Sequence, residues 1–200
     1  MNIRDHKESD GKMIWLSTSG DPSEVEILLD HFDETERTLA FALGARCGLR
    51  SAEILDVAPE DVVDTDAGTM LRVWDGKGGK YRETPVPDQL AMQIRTLAEY
   101  RAESDDEPVV SSISTTRSLR RWLEDARDEL AEEYDDPGWR YLSTHDLRRT
   151  WATALSDADV DAIHALDWGG WVDIETFLAH YKGAYSPEAK RRERAKVDWL

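Results

Sequence analysis

Between residues 60 and 86 the chain changes period, and that change decides its architecture. On either side, apolar residues recur at helical spacing. Within it, Val62-Val63, Met70-Leu71-Arg72-Val73-Trp74 and Tyr81-Arg82-Glu83-Thr84-Pro85-Val86 read as three short strands. Asp66-Ala67-Gly68 and Asp75-Gly76-Lys77-Gly78-Gly79 separate them with turn-forming residues. Pro85 and Pro87 suit a sheet edge, where a missing N–H is tolerated. The expected fold is mainly α with a small three-stranded antiparallel sheet, an α+β domain.

The flanks supply the helices. Residues 1–20 are polar and without sustained period, and read as a polar leader. Asp21-Pro22-Ser23 opens a helix carrying Val25, Leu28, Leu29 and Phe32. A second helix runs from about Thr35, with Leu39, Ala42, Leu43 and Arg46 on one side. It ends at Gly48, which suits a left-handed cap. Ser51 begins another turn and Pro59 ends it. Helical patterns resume over 88–102 and 115–134, and Asp135-Asp136-Pro137-Gly138 breaks the second. Thr144 is placed to cap a helix reaching about Ser156, shorter helices follow at 159–167 and 173–181, and Ser186-Pro187-Glu188 starts a basic helix. The expected boundaries are a leader at 1–20, one domain at 21–185 and a basic tail helix at 186–200.

The chain has 200 residues, 40% of them apolar and 8 of them Trp, enough for one domain core. No apolar run reaches membrane-spanning length, and the start lacks the apolar stretch of a secretion signal. A soluble, cytoplasmic protein is expected. The lone Cys47 excludes an intramolecular disulfide and a Cys-cluster zinc site.

The net charge of −17 weighs against a plain DNA-binding protein, whose affinity comes from basic surface. The imbalance is uneven. It is −8 over residues 51–110 but only −2 over 111–150 and −3 over 151–200. Arg117, Arg120 and Arg121, then Arg148-Arg149, then Lys190-Arg191-Arg192 with Arg194 remain as basic clusters. With 7 Lys against 18 Arg, and 24 Asp with 18 Glu, the surface suits high salt, and a halophilic source is the hypothesis it supports.

Four segments carry candidate chemistry. Arg50 and Glu53 stand three apart at a helix start, where a carboxylate can hold an arginine fork aimed at phosphate oxygens. An ordinary surface ion pair would read the same. Lys77 sits in a glycine-rich turn between strands, with Lys80 as its substitute, and a solvated hairpin tip is the plain reading. His145 and Arg148 are i, i+3 at a helix start. Leu147, Trp151 and Leu155 form its apolar face, which places Arg148 at the edge, partly buried, and Arg149 toward solvent. Trp171 follows Asp167-Trp168-Gly169-Gly170, and Tyr181 follows Phe177-Leu178, with Tyr185 as its competitor.

The order Gly48-Leu49-Arg50, Gly76-Lys77-Gly78-Gly79-Lys80, Thr144-His145-Asp146-Leu147-Arg148-Arg149-Thr150-Trp151-Ala152-Thr153, then Trp171 and Tyr181, resembles the catalytic domain of tyrosine recombinases, the phage-integrase family. The resemblance spans residues 22–185, and its most specific part is the His145–Thr153 string. It implies catalytic roles for Arg50, Lys77, His145, Arg148, Trp171 and Tyr181, with Glu53 supporting Arg50. It implies double-stranded DNA as partner, cleavage and rejoining through a 3′-phosphotyrosyl bond, and no cofactor or metal. It also implies a homotetramer on DNA, with a monomer when isolated. The spacing from Trp171 to Tyr181 is one residue longer than the commonest family pattern. Family members usually carry an N-terminal DNA-clamping domain, and about twenty residues precede the first helix here, which implies either a catalytic fragment or a short form relying on a partner. Two other classes share the constellation: a type IB topoisomerase-like relaxing enzyme, and a catalytically idle DNA-binding regulator.

Overall fold

A computed structural model describes residues 1–5, 12–76, 80–102, 104–178 and 187–197. In chain order the elements are β1 (Asn2–Asp5), β2 (Lys12–Trp15), α1 (Glu24–Asp30), α2 (Thr35–Cys47), α3 (Ser51–Asp56), β3 (Val62–Thr65), β4 (Gly68–Gly76), β5 (Lys80–Pro85), α4 (Asp88–Arg101), α5 (Thr116–Glu133), α6 (Thr144–Asp157), α7 (Ala162–Gly169), α8 (Ile174–Thr176) and α9 (Pro187–Arg194). The mainly helical fold with its small sheet is as expected. The sheet order is β3-β4-β5, antiparallel throughout, so β5 is an edge and Pro85 closes it opposite Met70.

The core forms around α2. The sequence suggests one apolar side, but Leu39 through Leu43, Ala45 and Cys47 are all buried. A helix apolar on every side belongs in the interior. Leu28 of α1, Ile54 of α3, Leu71 of β4, Ile94 of α4, Leu119 and Leu123 of α5, and Leu147 of α6 close around it. A second cluster holds Trp151 and Ala152 of α6, Ala165 of α7, Trp171 and Phe177. Arg148 lies against this second cluster, its guanidinium over the Trp171 ring.

Three local expectations need correcting. The leader is not one: β1 and β2 pair antiparallel, Asn2 with Trp15 through Asp5 with Lys12. Met13, Ile14, Trp15 and Leu16 are buried, and the Leu16 N–H donates to Thr150 Oγ1 on α6 at 2.8 Å. Four apolar residues in a row carry no period, which is why they escape a search for alternation. Helix α1 is capped by Ser23 rather than Asp21, with Glu26 accepting from the Ser23 N–H at 2.7 Å in a capping box. Helix α6 is capped by Ser143, one residue before Thr144.

The basic α9 lies against its own chain. Ala189 is buried, and Arg192 donates to Asp159 Oδ2 and the Asp157 carbonyl, each at 2.5 Å. The expected helix over 173–181 is described as far as Leu178. Among the described residues no helix is long and apolar enough to cross a membrane.

Candidate active site

The α2–α3 junction makes the first half of the site. Gly48 caps α2 in the left-handed region, φ 69°. Leu49 is fully buried, and Arg50 then stands at the N-cap of α3. Glu53, one turn into α3, reaches back to it. Glu53 Oε2 accepts from the Arg50 backbone N–H at 2.7 Å, and Oε1 from Arg50 Nη1 at 2.6 Å.

The sequence reading missed the second guanidinium on this carboxylate. Arg82 Nη1 donates to Glu53 Oε1 at 2.9 Å and Nη2 to Oε2 at 2.7 Å. Each carboxylate oxygen therefore takes two donors. Burial raises the Glu53 pKa, but the Arg82 hydrogen bonds and charge, then the Arg50 contacts, outweigh it and pull it down to about 2. A signal for Arg82 was present in the pairing. Arg82 lies opposite Val73 and Thr84 opposite Leu71. Paired residues share a face, and Leu71 and Val73 are buried, so Arg82 must also point inward and needs a carboxylate.

Helix α6 makes the other half. Ser51 Oγ donates to Thr144 Oγ1 at 2.8 Å, tying the starts of α3 and α6 together. His145 is exposed on the first turn. Arg148 is fully buried, not partly. It donates through Nη1 to the Gly48 carbonyl and through Nη2 to the Gly169 carbonyl, the latter at 2.5 Å. Its guanidinium carbon lies 4.4 Å from the centre of the Trp171 ring. Arg148 thus bridges the last turns of α2 and α7.

Arg149 overturns its expected position toward solvent. It is buried, paired with Asp146 and donating to the Ile14 carbonyl at 3.2 Å. The helical period puts it away from the main core, but β2 lies on that face. Burial raises the Asp146 pKa despite the Ser143 hydrogen bonds and the Arg149 charge that oppose it.

Trp171 packs in the second cluster, its ring 5.8 Å from Trp151 and 4.7 Å from Phe177. Gly169 makes room for it: a Cβ there would lie 2.3 Å from Trp171 Cζ3. Trp168 serves packing, stacked on His164 at 5.8 Å, and its carbonyl accepts from Arg82 Nε at 3.0 Å. Arg50, Glu53, Arg148 and Trp171 are therefore linked through Gly48, Gly169 and Arg82. His145 lies exposed on the first turn of α6, next to the Thr144 that Ser51 holds. Lys77, Tyr181 and Tyr185 lie outside the described residues.

Residues 20–186 match the Phage integrase family. The chain belongs to that family. Among curated relatives, the tyrosine recombinase XerA of Thermococcus kodakarensis is 29% identical over 152 residues, 75% of this chain and 52% of that one. The tyrosine recombinase XerC of Pelobacter propionicus is 33% identical over 122 residues, 60% of this chain and 39% of that one. The chain spans about half the length of the first relative. The crystal structure of XerA recombinase superposes with a TM-score of 0.70 at 19% identity, covering 92% of this chain and 64% of that chain. The XerH site-specific recombinase bound to difH substrate superposes with a TM-score of 0.59 at 17% identity, covering 88% and 52%.

Proposed function

We propose that this phage-integrase family member is the catalytic part of a site-specific DNA recombinase or integrase. It would cleave and rejoin double-stranded DNA through a 3′-phosphotyrosyl intermediate. The observation that carries this reading is the convergence of Arg50, Arg148 and Trp171 on one pair of helix ends, with Glu53 behind Arg50. Two arginine forks and an indole N–H are the donor set that stabilises a crowded phosphoryl transition state without a metal.

In this account the Tyr181 oxygen attacks the phosphorus in line, and the bond to the 5′-oxygen breaks. Lys77 gives its proton to that leaving oxygen, and His145 takes the proton from the tyrosine. A free tyrosine hydroxyl has a pKa of about 10, so it depends on positive charge nearby. Arg50, Arg148 and Lys77 would supply it. The phosphodiester energy is conserved in the covalent bond, so no nucleotide cofactor is required.

The assembly is proposed as a homotetramer on DNA and a monomer alone, acting in the cytoplasm. The acidic, lysine-poor surface is proposed as an adaptation to high salt. The recombinase reading is favoured over DNA relaxation because the relatives that align are recombinases. Supercoiled plasmids carrying fragments of the source genome test this directly. Exchanged or integrated segments are expected, and relaxed circles alone would sink the recombinase reading in favour of a type IB-like enzyme.

A further inference from the structure

We propose that Arg82 is a positioning residue that sets Arg50 through Glu53 and ties that pair to the α7 turn below Arg148. It rests on the strand-transfer reading above and adds to it a residue on the β5 edge strand.

The geometry is specific. Arg82 is 5% exposed and uses three nitrogens on two elements: Nη1 and Nη2 on Glu53 of α3, Nε on the Trp168 carbonyl of α7. Its stem is pressed by the turn after α7, since a Cβ on Gly170 would lie 2.9 Å from Arg82 Cδ. The carbonyl of Gly169, adjacent to Trp168, accepts from Arg148. The Glu53 carboxylate accepts from Arg50. Arg82 is therefore one contact away from Arg50 and one peptide unit away from the carbonyl that holds Arg148. It also belongs to the strand that begins at Lys80.

Physical chemistry gives this arrangement a consequence. Glu53 Oε1 accepts from both guanidiniums, while Oε2 accepts from Arg82 and the Arg50 backbone N–H, so Arg50 reaches the carboxylate with one side-chain nitrogen, Nη1. With Arg82 gone, the buried carboxylate would have one cationic partner and would draw the Arg50 fork into a two-point pair. That withdraws donors from a phosphate oxygen without removing Arg50. Lysine cannot replace Arg82, because one ammonium cannot reach both carboxylate oxygens and the Trp168 carbonyl with a fixed planar fork.

The test compares the full 200-residue chain with Arg82→Gln and Arg82→Lys. Thermal unfolding and retention on sheared source DNA control for fold and binding. Two readouts follow: the rate of covalent protein–DNA adduct formation on that DNA, and the Glu53 carboxyl titration followed by carbon NMR. Asp56, Asp61 and Arg72, which line a cavity of about 230 Å³ beside Glu53, are common to all variants. A shift in the titration therefore reports Arg82.

Arg82→Gln is expected to slow adduct formation roughly 10- to 100-fold, the range for losing a group that orients a site's ligands, while DNA retention holds. Its Glu53 titration moves up. Arg82→Lys recovers part of the titration and little of the rate. A rate within about twofold of wild type, or an unmoved Glu53 titration, overturns the proposal. If Arg82→Gln fails to fold, Arg82→Lys decides by the same two readouts. If wild type forms no adduct, the strand-transfer reading fails separately, and the titration alone decides whether Arg82 governs Glu53.

Discussion

Gly48→Ala puts the link between fold and site under direct load. Gly48 ends α2 at φ 69°, and its carbonyl accepts from Arg148. An added Cβ would lie 2.3 Å from Trp151 Cε3 and 2.5 Å from Cδ2, where carbon contacts rest at about 3.5–4.0 Å. A left-handed conformation costs a residue with a Cβ about 1–2 kcal/mol. Forcing the buried indole aside adds overpacking of about 1–3 kcal/mol. The sum, about 2–5 kcal/mol, lowers the melting temperature by roughly 4–20 °C for a domain of this size. Gly68→Ala is the control. Its φ is 107° and its Cβ would meet open space, so it carries the backbone cost alone. Thermal unfolding by circular dichroism should rank Gly48→Ala well below Gly68→Ala. Because Trp151 packs on Trp171, whose ring lies beneath Arg148, adduct formation should also fall in the first variant only. If Gly48→Ala unfolds no earlier than Gly68→Ala, the packing of α6 on the α2 cap is wrong.

Other consequences are testable together. The Glu53 pKa falls from an ordinary 4.5 to about 2 on folding, so its contribution is fully present above pH 4.5 and is lost as pH falls from there through 2. That amounts to about 3 kcal/mol, and urea unfolding across this window should show a steeper pH dependence in wild type than in Glu53→Gln. Asp146, raised on folding, works in the opposite sense but is common to both proteins and cancels; parallel slopes would contradict the buried Glu53 cluster. Arg50→Ala, at a site 22% exposed, should abolish adduct formation and cost only part of the Glu53 contribution to stability, because Arg82 still holds both Glu53 oxygens. Arg148→Lys should lose activity and also stability, by about 2–5 kcal/mol, because two buried carbonyls lose a shared fork; an equally stable variant would argue against the buried bridge. Unfolding at rising KCl should move to higher temperature if the acidic surface is a high-salt adaptation, and a maximum at low salt would end that idea.

Much of this fold is legible without coordinates because its elements announce themselves locally. The left-handed cap at Gly48, the three strands and the amphipathic α5 each follow from residues within one window. Arg50, Glu53, Arg148 and Trp171 are legible as candidates through the order of their motifs. What stays hidden depends on partners distant in sequence. Arg149 sits on the face of α6 that periodicity assigns to solvent, and only the docking of β2, about 135 residues earlier, buries it. Met13 to Leu16 lack alternation because both of their faces are covered. Arg82 falls in a strand whose neighbours are polar, and its inward direction emerges only from its register with Val73. Full burial of Arg148 likewise depends on α7 returning across α6 and bringing the Gly169 carbonyl to it.

A tyrosine in this chain is expected to become joined to DNA. Wild type, Tyr181→Phe and Tyr185→Phe would be incubated with source DNA in high salt, denatured, and resolved for protein–DNA conjugates. A conjugate is expected in wild type and Tyr185→Phe and not in Tyr181→Phe, with the attached strand ending at its 3′ phosphate. A conjugate that survives in Tyr181→Phe, or none in wild type, would contradict it.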